Sequence, residues 1–389
     1  SAASDVYKRQ VTGYTYSPTG ALKLSDTTIT VSYTEGDVTK TATQAITVAK
    51  VLDRIAVTTP PNRTSYFSGE QFSTAGMVVT AYYTDGSSGA VTGYTYSPAG
   101  ALAAGNTTIT VSYTEGGVTK TTTQAITVTT INTTLNSNSW ATIKAVSDAG
   151  KGDSYWDVGD TKTITINGTV QGFTFSNLSI AVFILGFNHN SNREGSSRIH
   201  FQIGKISNKL VGLCDNSYGS YVSSGFCMNT SRTNSGGWNG SYMRKTVLGN
   251  SGTPSSPPAN TLLAALPADL RAVMKSVTKY SDNTGGGSDN AGYVTATTDY
   301  LFLLAEFEYH GSRSYANSAE QNYQKQYDYY KAGNSKVHYR HDSTGTAVYA
   351  WTRSANSGNS NRFCLVDTGG APGNDYADYS RALAPGFAA

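Results

Sequence analysis

The sequence has 389 residues, only 14% of them charged, a net charge of +3, and a heavy load of Gly (40) and Tyr (27) beside many Thr, Ser and Asn. No Lys/Arg cluster gives it the basic footprint of a nucleic-acid binder, and its longest apolar run, 180–187, falls far short of the ~20 residues a membrane-spanning helix needs. Three cysteines are too few for a disulfide scaffold: Cys214 with Cys227 could close a short loop, but free thiols are the simpler expectation.

Residues 1–10 (SAASDVYKRQ) resemble the in-frame translation of a sequencing adapter, so they are set apart from the fold and the natural start is expected to be missing. The next signal is a repeat of period 80. Residues 11–50 realign on 91–130 without a gap, with 31 of 40 positions identical. One complete unit therefore spans 51–130, and 11–50 is a copy lacking its opening half. Inside the unit the apolar period is two: Met77, Val79, Ala81 and Tyr83 share one strand face, and Ile109, Val111 and Tyr113 another. Turn residues separate the strands at Asp85-Gly86 and Gly116-Gly117. Several short alternating strands in about 80 residues predict a small sandwich, with Val79, Ile109, Val111, Tyr113 and Ile126 inside. The truncated copy is expected to keep an unpaired edge. In LDRIAVTTPP at 52–61 and the closing ITV at 126–128, the unit resembles bacterial immunoglobulin-like domains, which implies an all-β sandwich serving as a spacer.

A Thr/Asn-rich linker is read at 131–139, and a domain of different character at 140–389. Strands are predicted at 162–168 (ending at an Asn-Gly hairpin), 180–187 and 199–203. Leu263, Leu266, Leu270 and Val273 predict a helix over 260–277, and a second helix is expected over 317–331. Strands return at 347–353, 363–367 and 382–387, which makes the domain α+β. GGWNGSYMR at 236–244, DYLFLLAEFE at 299–308, WTRSANSGNSNRFCLVDTGG at 351–370 and RALAPGF at 381–387 resemble an uncharacterised domain of gut bacteria and their phages, over 140–389. The closing Trp-x-Arg-Ser and Ala-Pro-x-Phe pattern is more distantly similar to the C-type-lectin-like superfold, which includes formylglycine-generating enzymes.

Motifs for nucleophilic, metal-protease or phosphate chemistry do not occur. Glu306 and Glu308, two apart, read as a solvated strand edge. His338, His341 and Asp342 read as a short polar loop, so neither metal nor cofactor is expected. The calcium-binding tripeptides of lectin-like domains are missing, and Cys364 lacks the close partner that formylglycine chemistry implies.

What remains is a candidate binding loop at 354–380, nearly half Asn, Ser, Asp and Tyr. Tyrosine supplies rigid contact area and the small polar residues adaptable hydrogen bonds. Its candidate ligand-binding residues are Asn356, Asn359, Asn361, Asn374, Asp375, Tyr376 and Tyr379, with Trp351 and Phe363 as core beneath. Trp238 and Tyr242 divide evenly between core and site. The resulting expectation is an extracellular, non-enzymatic adhesin or receptor-binding protein of a phage tail or bacterial surface. It would bind a host-surface glycan or protein receptor, with other virion proteins or copies of itself as further partners, and neither nucleic acid nor membrane. A structural virion or surface-layer component is the alternative, and an enzyme of formylglycine-generating type a distant third.

Overall fold

The computed structural model describes residues 10–389; the adapter expectation lies outside them except for Gln10, which is exposed. The chain is mostly β-sheet and divides into two compact units, Ser1–Thr130 and Ile131–Ala389.

The first unit begins with β1 (Thr15–Ser17), β2 (Thr28–Glu35) and β3 (Val38–Ala45), an antiparallel sheet in that order. The complete repeat follows as β4 (Leu52–Thr59), β5 (Ser65–Phe67), β6 (Val78–Tyr83), β7 (Ser88–Val91), β8 (Thr95–Ser97), β9 (Thr108–Glu115), β10 (Val118–Ala125) and β11 (Thr127–Thr129). They form the sheets β4–β6–β7 and β8–β9–β10 and the parallel pair β5–β11. Leu52 and Ile55 from β4, Val79 and Ala81 from β6, and Ile109 and Val111 from β9 meet in one core with Tyr66, Phe72, Met77, Leu102 and Ile126. Tyr113 packs against it half-buried. Both β9–β10 turn glycines adopt positive φ (58° and 78°), the geometry a two-residue hairpin requires.

The truncated copy has the later strands only. Ile29 and Val31, whose twins Ile109 and Val111 are fully buried, stay half-exposed on β2, and β3 is exposed along its whole length. Val11, Tyr14, Tyr16, Leu22, Leu24 and Val38 lie open to solvent.

In the second unit, residues 131–139 are packed rather than free: Leu135 is buried, and the Asn138 amide bonds Asn132 O and Thr134 O. Ser139 caps α1 (Trp140–Asp148), accepting from Thr142 N at 3.1 Å, and α1 buries Trp140, Ile143 and Val146. The main sheet runs β12 (Thr161–Val170), β13 (Phe173–Phe187), β14 (Ile199–Ile206) and β15 (Lys209–Gly212), with α2 (Ser191–Glu194) between β13 and β14. Asn167-Gly168 is a bulge inside β12, not its end. The hairpin turn falls at Gln171-Gly172, where both residues have positive φ (45° and 87°).

The chain then passes through α3 (Gly237–Gly240), α4 (Leu262–Ala265), α5 (Ala268–Arg271), the ribbon β16 (Val277–Asp282) and β17 (Val294–Asp299), α6 (Glu306–His310) and α7 (Asp328–Lys331). The single helix expected over 260–277 breaks because Pro267 forces Leu266 into extended backbone (ψ 150°), leaving two one-turn pieces. Leu263, Leu266, Leu270 and Val273 are still buried. The helix expected over 317–331 is likewise a 3-10 turn (Ser318–Asn322) and the short α7. Here the Gln324 amide is drawn to Tyr280 O and Glu320 instead of solvent.

β18 (His338–Arg340) and β19 (Ser343–Val348) extend the main sheet beyond β15, so the expected polar loop at 338–342 is a hairpin with His338 fully buried. β20 (Ala350–Ala355), β21 (Arg362–Val366) and β22 (Pro372–Tyr376) make a separate antiparallel sheet, and β23 (Gly386–Ala388) returns to pair with β14. Among the described residues no helix is long and apolar enough to cross a membrane.

Candidate functional site

The stretch 354–380 is not one loop. It is the end of β20, the turn to β21, and β21–β22 in register from Arg362 opposite Tyr376 to Val366 opposite Pro372. β22 presents Asn374, Asp375 and Tyr376 half-exposed, and the turn after it presents Tyr379. An irregular segment from Asp215 to Asn229 is laced along this edge. Val222 N donates to Asp378 O, Ser380 N to Ser220 O, and Asn229 N to Ala377 O. The buried carboxylate of Asp215 fixes the segment by accepting from Ser217 N, Phe226 N and Ser380 Oγ.

This lacing assembles a surface of tyrosines held by arginines. The Arg232 guanidinium lies 4.3 Å and that of Arg362 4.4 Å from the Tyr376 ring centroid. Arg381 lies 5.2 Å from Tyr379 and 5.1 Å from Tyr349. Tyr379 is 6.0 Å from Tyr376 and 6.3 Å from Tyr221, centroid to centroid. Each guanidinium is also anchored: Arg232 donates to Asp378, Arg381 to Asp375 at 2.8 and 2.5 Å, and Arg362 to Asn374 Oδ1 at 2.8 Å. A cation–π contact of this exposed kind is worth about 0.5–1 kcal/mol. Several together restrict the orientation of the rings. Tyr221 is 70% exposed, more than any other large hydrophobic side chain among the described residues.

Of the sequence-derived candidates, Asn374, Asp375, Tyr376 and Tyr379 come together here. Asn359 and Asn361 are exposed in the β20–β21 turn, Asn361 beside the surface through its carbonyl, which accepts from Ala377 N. Asn356 is buried and builds that turn, accepting from Gly358 N through Oδ1. Trp238 is fully buried, its indole donating to Asp299 Oδ2 at 2.9 Å, and belongs to the core. Tyr242, half-buried, spends its hydroxyl on Gln171 Oε1. Tyr221, Arg232, Arg362 and Arg381 were not singled out from sequence. The segment 216–225 (NSYGSYVSSG) has the same composition as 354–380 and was the readable sign.

A second constellation lies in the core. Glu306 and Glu308 sit on α6 fully buried, not on a solvated strand edge. Glu306 accepts from the backbone of Ser314, Tyr315 and Ala316. Arg353 forks onto Glu308 at 2.5 and 2.8 Å. Lys279 Nζ lies 2.6 Å from Glu194 Oε2, 3.1 Å from Glu308 Oε1 and 2.8 Å from Tyr327 Oη. Burial alone would raise the Glu308 carboxyl, but Arg353 and Lys279 more than offset it and hold the group well below the usual carboxylate range. Burial pushes Glu194 up and His189 down to about 3.

His189, Glu194 and Glu308 bring three ligand atoms within 4.8 Å of one another, a spacing a metal ion could use. Their donor set does not fit one. The Lys279 ammonium already sits between the two carboxylates and Arg353 neutralises Glu308 again, so a divalent ion would have to enter against two fixed cations.

The three cysteines are free and buried. Burial pushes the thiols of Cys214 and Cys227 up to about 12, and that of Cys364 well above its ordinary value. No curated protein matches the chain. Residues 221–388 match a family described as a domain of unknown function, DUF6273. That match is narrower than the expected 140–389: it takes in the tyrosine–arginine surface and most of the charged core but omits β12–β15.

Proposed function

We propose that the chain is a non-enzymatic adhesin or receptor-binding protein of a phage tail or bacterial surface, working outside the cell. Immunoglobulin-like repeats serve as its spacer, and a C-type-lectin-like terminal unit binds a host-surface glycan or protein receptor. The observation that carries this reading is the tyrosine–arginine surface: Tyr376 and Tyr379 are held by anchored guanidiniums, with the exposed Tyr221 beside Tyr379. Rigid aromatic area framed by amides and carboxylates suits the C–H faces and hydroxyls of sugars as well as the hot spots of protein interfaces. The burial of all three thiols, which pushes them up and away from the thiolate form, speaks against formylglycine-type chemistry, and the charged core is paired internally, as a structural network is.

The test is attachment of the purified chain to host cells or a glycan array, with and without Tyr221→Ala, Tyr376→Ala and Tyr379→Ala together. Truncation at exposed positions should leave unfolding within about 0.5 kcal/mol per site, while attachment falls by at least about tenfold. A folded triple variant that attaches like the parent would remove the surface from consideration. The structural-component reading draws on the open apolar face of β1–β3. It predicts instead self-association that the tyrosine changes leave untouched.

A further inference from the structure

β13 ends at Phe187 in a turn where Asn188 and Asn190 both take left-handed backbone, with φ of 49° and 46°. Few residues other than glycine settle there, and such strain persists only where the surroundings hold it. Between them His189 is buried with its ring stacked on Tyr327, 3.7 Å between centroids and 20° between planes. Its Nε2 has no hydrogen-bond partner, nor has Oε1 of the buried Gln324. Both residues line one cleft of about 540 Å³, within the ~300–1,000 Å³ of small-molecule sites.

The cleft wall is made of half-used amides. Asn188 accepts from Arg198 N through Oδ1, Asn190 donates to Tyr323 O through Nδ2, and Gln326 donates to Tyr309 O through Nε2. Each leaves its other half, one NH2 and two carbonyls, for a ligand. Phe187 and Phe307, half-buried, add aromatic surface to the same wall. Lys325, Asp328 and Lys331, all exposed, line it as well.

We propose that this cleft is a second binding site, taking one or two residues of a neutral saccharide. A hydroxyl both donates and accepts, so it pairs with a mixed set of amide N–H and C=O groups, while the ring's C–H face packs on the phenylalanines. A purely apolar ligand would leave the amides unpaired; an anion would be drawn by Lys325 and Lys331 but repelled by Asp328 and two carbonyl oxygens, so inorganic phosphate is the control that separates it from a sugar. Burial and the nearby Lys279 charge keep His189 uncharged, so its imidazole can act as donor and acceptor at once. The cleft shares no residue with the tyrosine–arginine surface, and either can fail alone.

The intact chain should be titrated by saturation-transfer NMR with glucose, galactose, mannose, N-acetylglucosamine and N-acetylgalactosamine, and with inorganic phosphate as the anionic control. At least one sugar should bind and shift the His189 ring resonances. Asn188→Gly keeps the left-handed backbone while removing the amide, and Gln326→Ala removes another. Each should weaken binding by about tenfold while the chain stays folded, its unfolding lowered only by the one hydrogen bond that each change removes, to Arg198 N or to Tyr309 O, and Tyr376→Ala with Tyr379→Ala should leave binding unchanged. Response to phosphate alone, to no sugar of the set, or undiminished binding in both cleft variants would overturn the assignment. Sugar binding lost only with the tyrosines would overturn it as well, and would credit the surface instead.

Discussion

Val31 and Val111 stand at the same place in two copies of nearly one sequence, yet Val111 is fully buried while Val31 is half-exposed. Trimming each to Ala therefore measures what the covering sheet contributes. At Val111 the change removes two methyl groups from a core closed by Leu52 and Ile55 of β4 and Val79 and Ala81 of β6. At about 0.8 kcal/mol per buried carbon the transfer term is about 1.6 kcal/mol, and the unfilled space brings the loss to about 2–3 kcal/mol. At Val31 part of that surface is already wet and no closed cavity forms, so the loss should stay below about 1 kcal/mol. Hydrogen exchange read by mass spectrometry on the intact chain separates the two copies, because Asp37 and Ala42 in one replace Gly117 and Thr122 in the other. Val111→Ala should lower protection of β9 and β10 by roughly 30- to 150-fold, and Val31→Ala that of β2 and β3 by less than about fivefold. Equal losses at the two sites would mean that the β1–β3 face is covered in solution as its twin is, and would refute the reasoning.

Two further outcomes test the charged core of the second unit. Arg353→Met leaves the fully buried Glu308 with Lys279 as its only cation, and chemical denaturation should show a loss of about 3–5 kcal/mol. Burial raises Glu320 from 4.5 to about 7, so the folded chain holds its proton where the unfolded chain has released it. Stability from this group is complete below about pH 4.5 and is lost as pH rises through about 7. Unfolding followed from about pH 5 to about pH 8 should thus show the parent losing ground to Glu320→Gln, and parallel profiles would reject the assignment.

What could be read from the sequence was local. The repeat, its strand phase and its glycine turns follow from a period of two and from positive φ at Gly116 and Gly117, and the buried faces of β6 and β9 fall where alternation puts them. Tyr376 and Tyr379 were also readable, because composition marks a contact surface. Their arginine partners were not. Arg232 lies 144 residues from Tyr376 in sequence and reaches it where the segment 215–229, which leads into it, is laced to 377–380, with Asp215 bonded to Ser380. Helix length was misjudged where side-chain periodicity outvoted the backbone: four leucine-type residues point inward over 263–273 although Pro267 cuts the helix in two.

The charged core is the deeper failure, and its cause is physical. Glu306 and Glu308 close the otherwise apolar run 300–308, and charged residues are almost never fully buried unless paired. A reader of sequence without the partners must therefore place them at the surface. The partners of Glu308 are Arg353, 45 residues on, and Lys279, 29 residues back, and those of Glu306 are the backbone N–H groups of Ser314, Tyr315 and Ala316; none of these spacings carries a period that local pattern could detect. Arg353 is the Arg of the Trp-x-Arg-Ser pattern, to which the sequence assigns no partner. In the fold its guanidinium points inward and bonds Glu308, Ser281 Oγ and Leu303 O, tying β20 to β16 and to the chain entering α6. Two carboxylates and two cations buried together cost desolvation that hydrophobic packing would not. What they supply is one arrangement in which every charge has its partner. Such an arrangement holds β20 in place, and β20 leads into the β21–β22 hairpin that carries Tyr376 on the outer face.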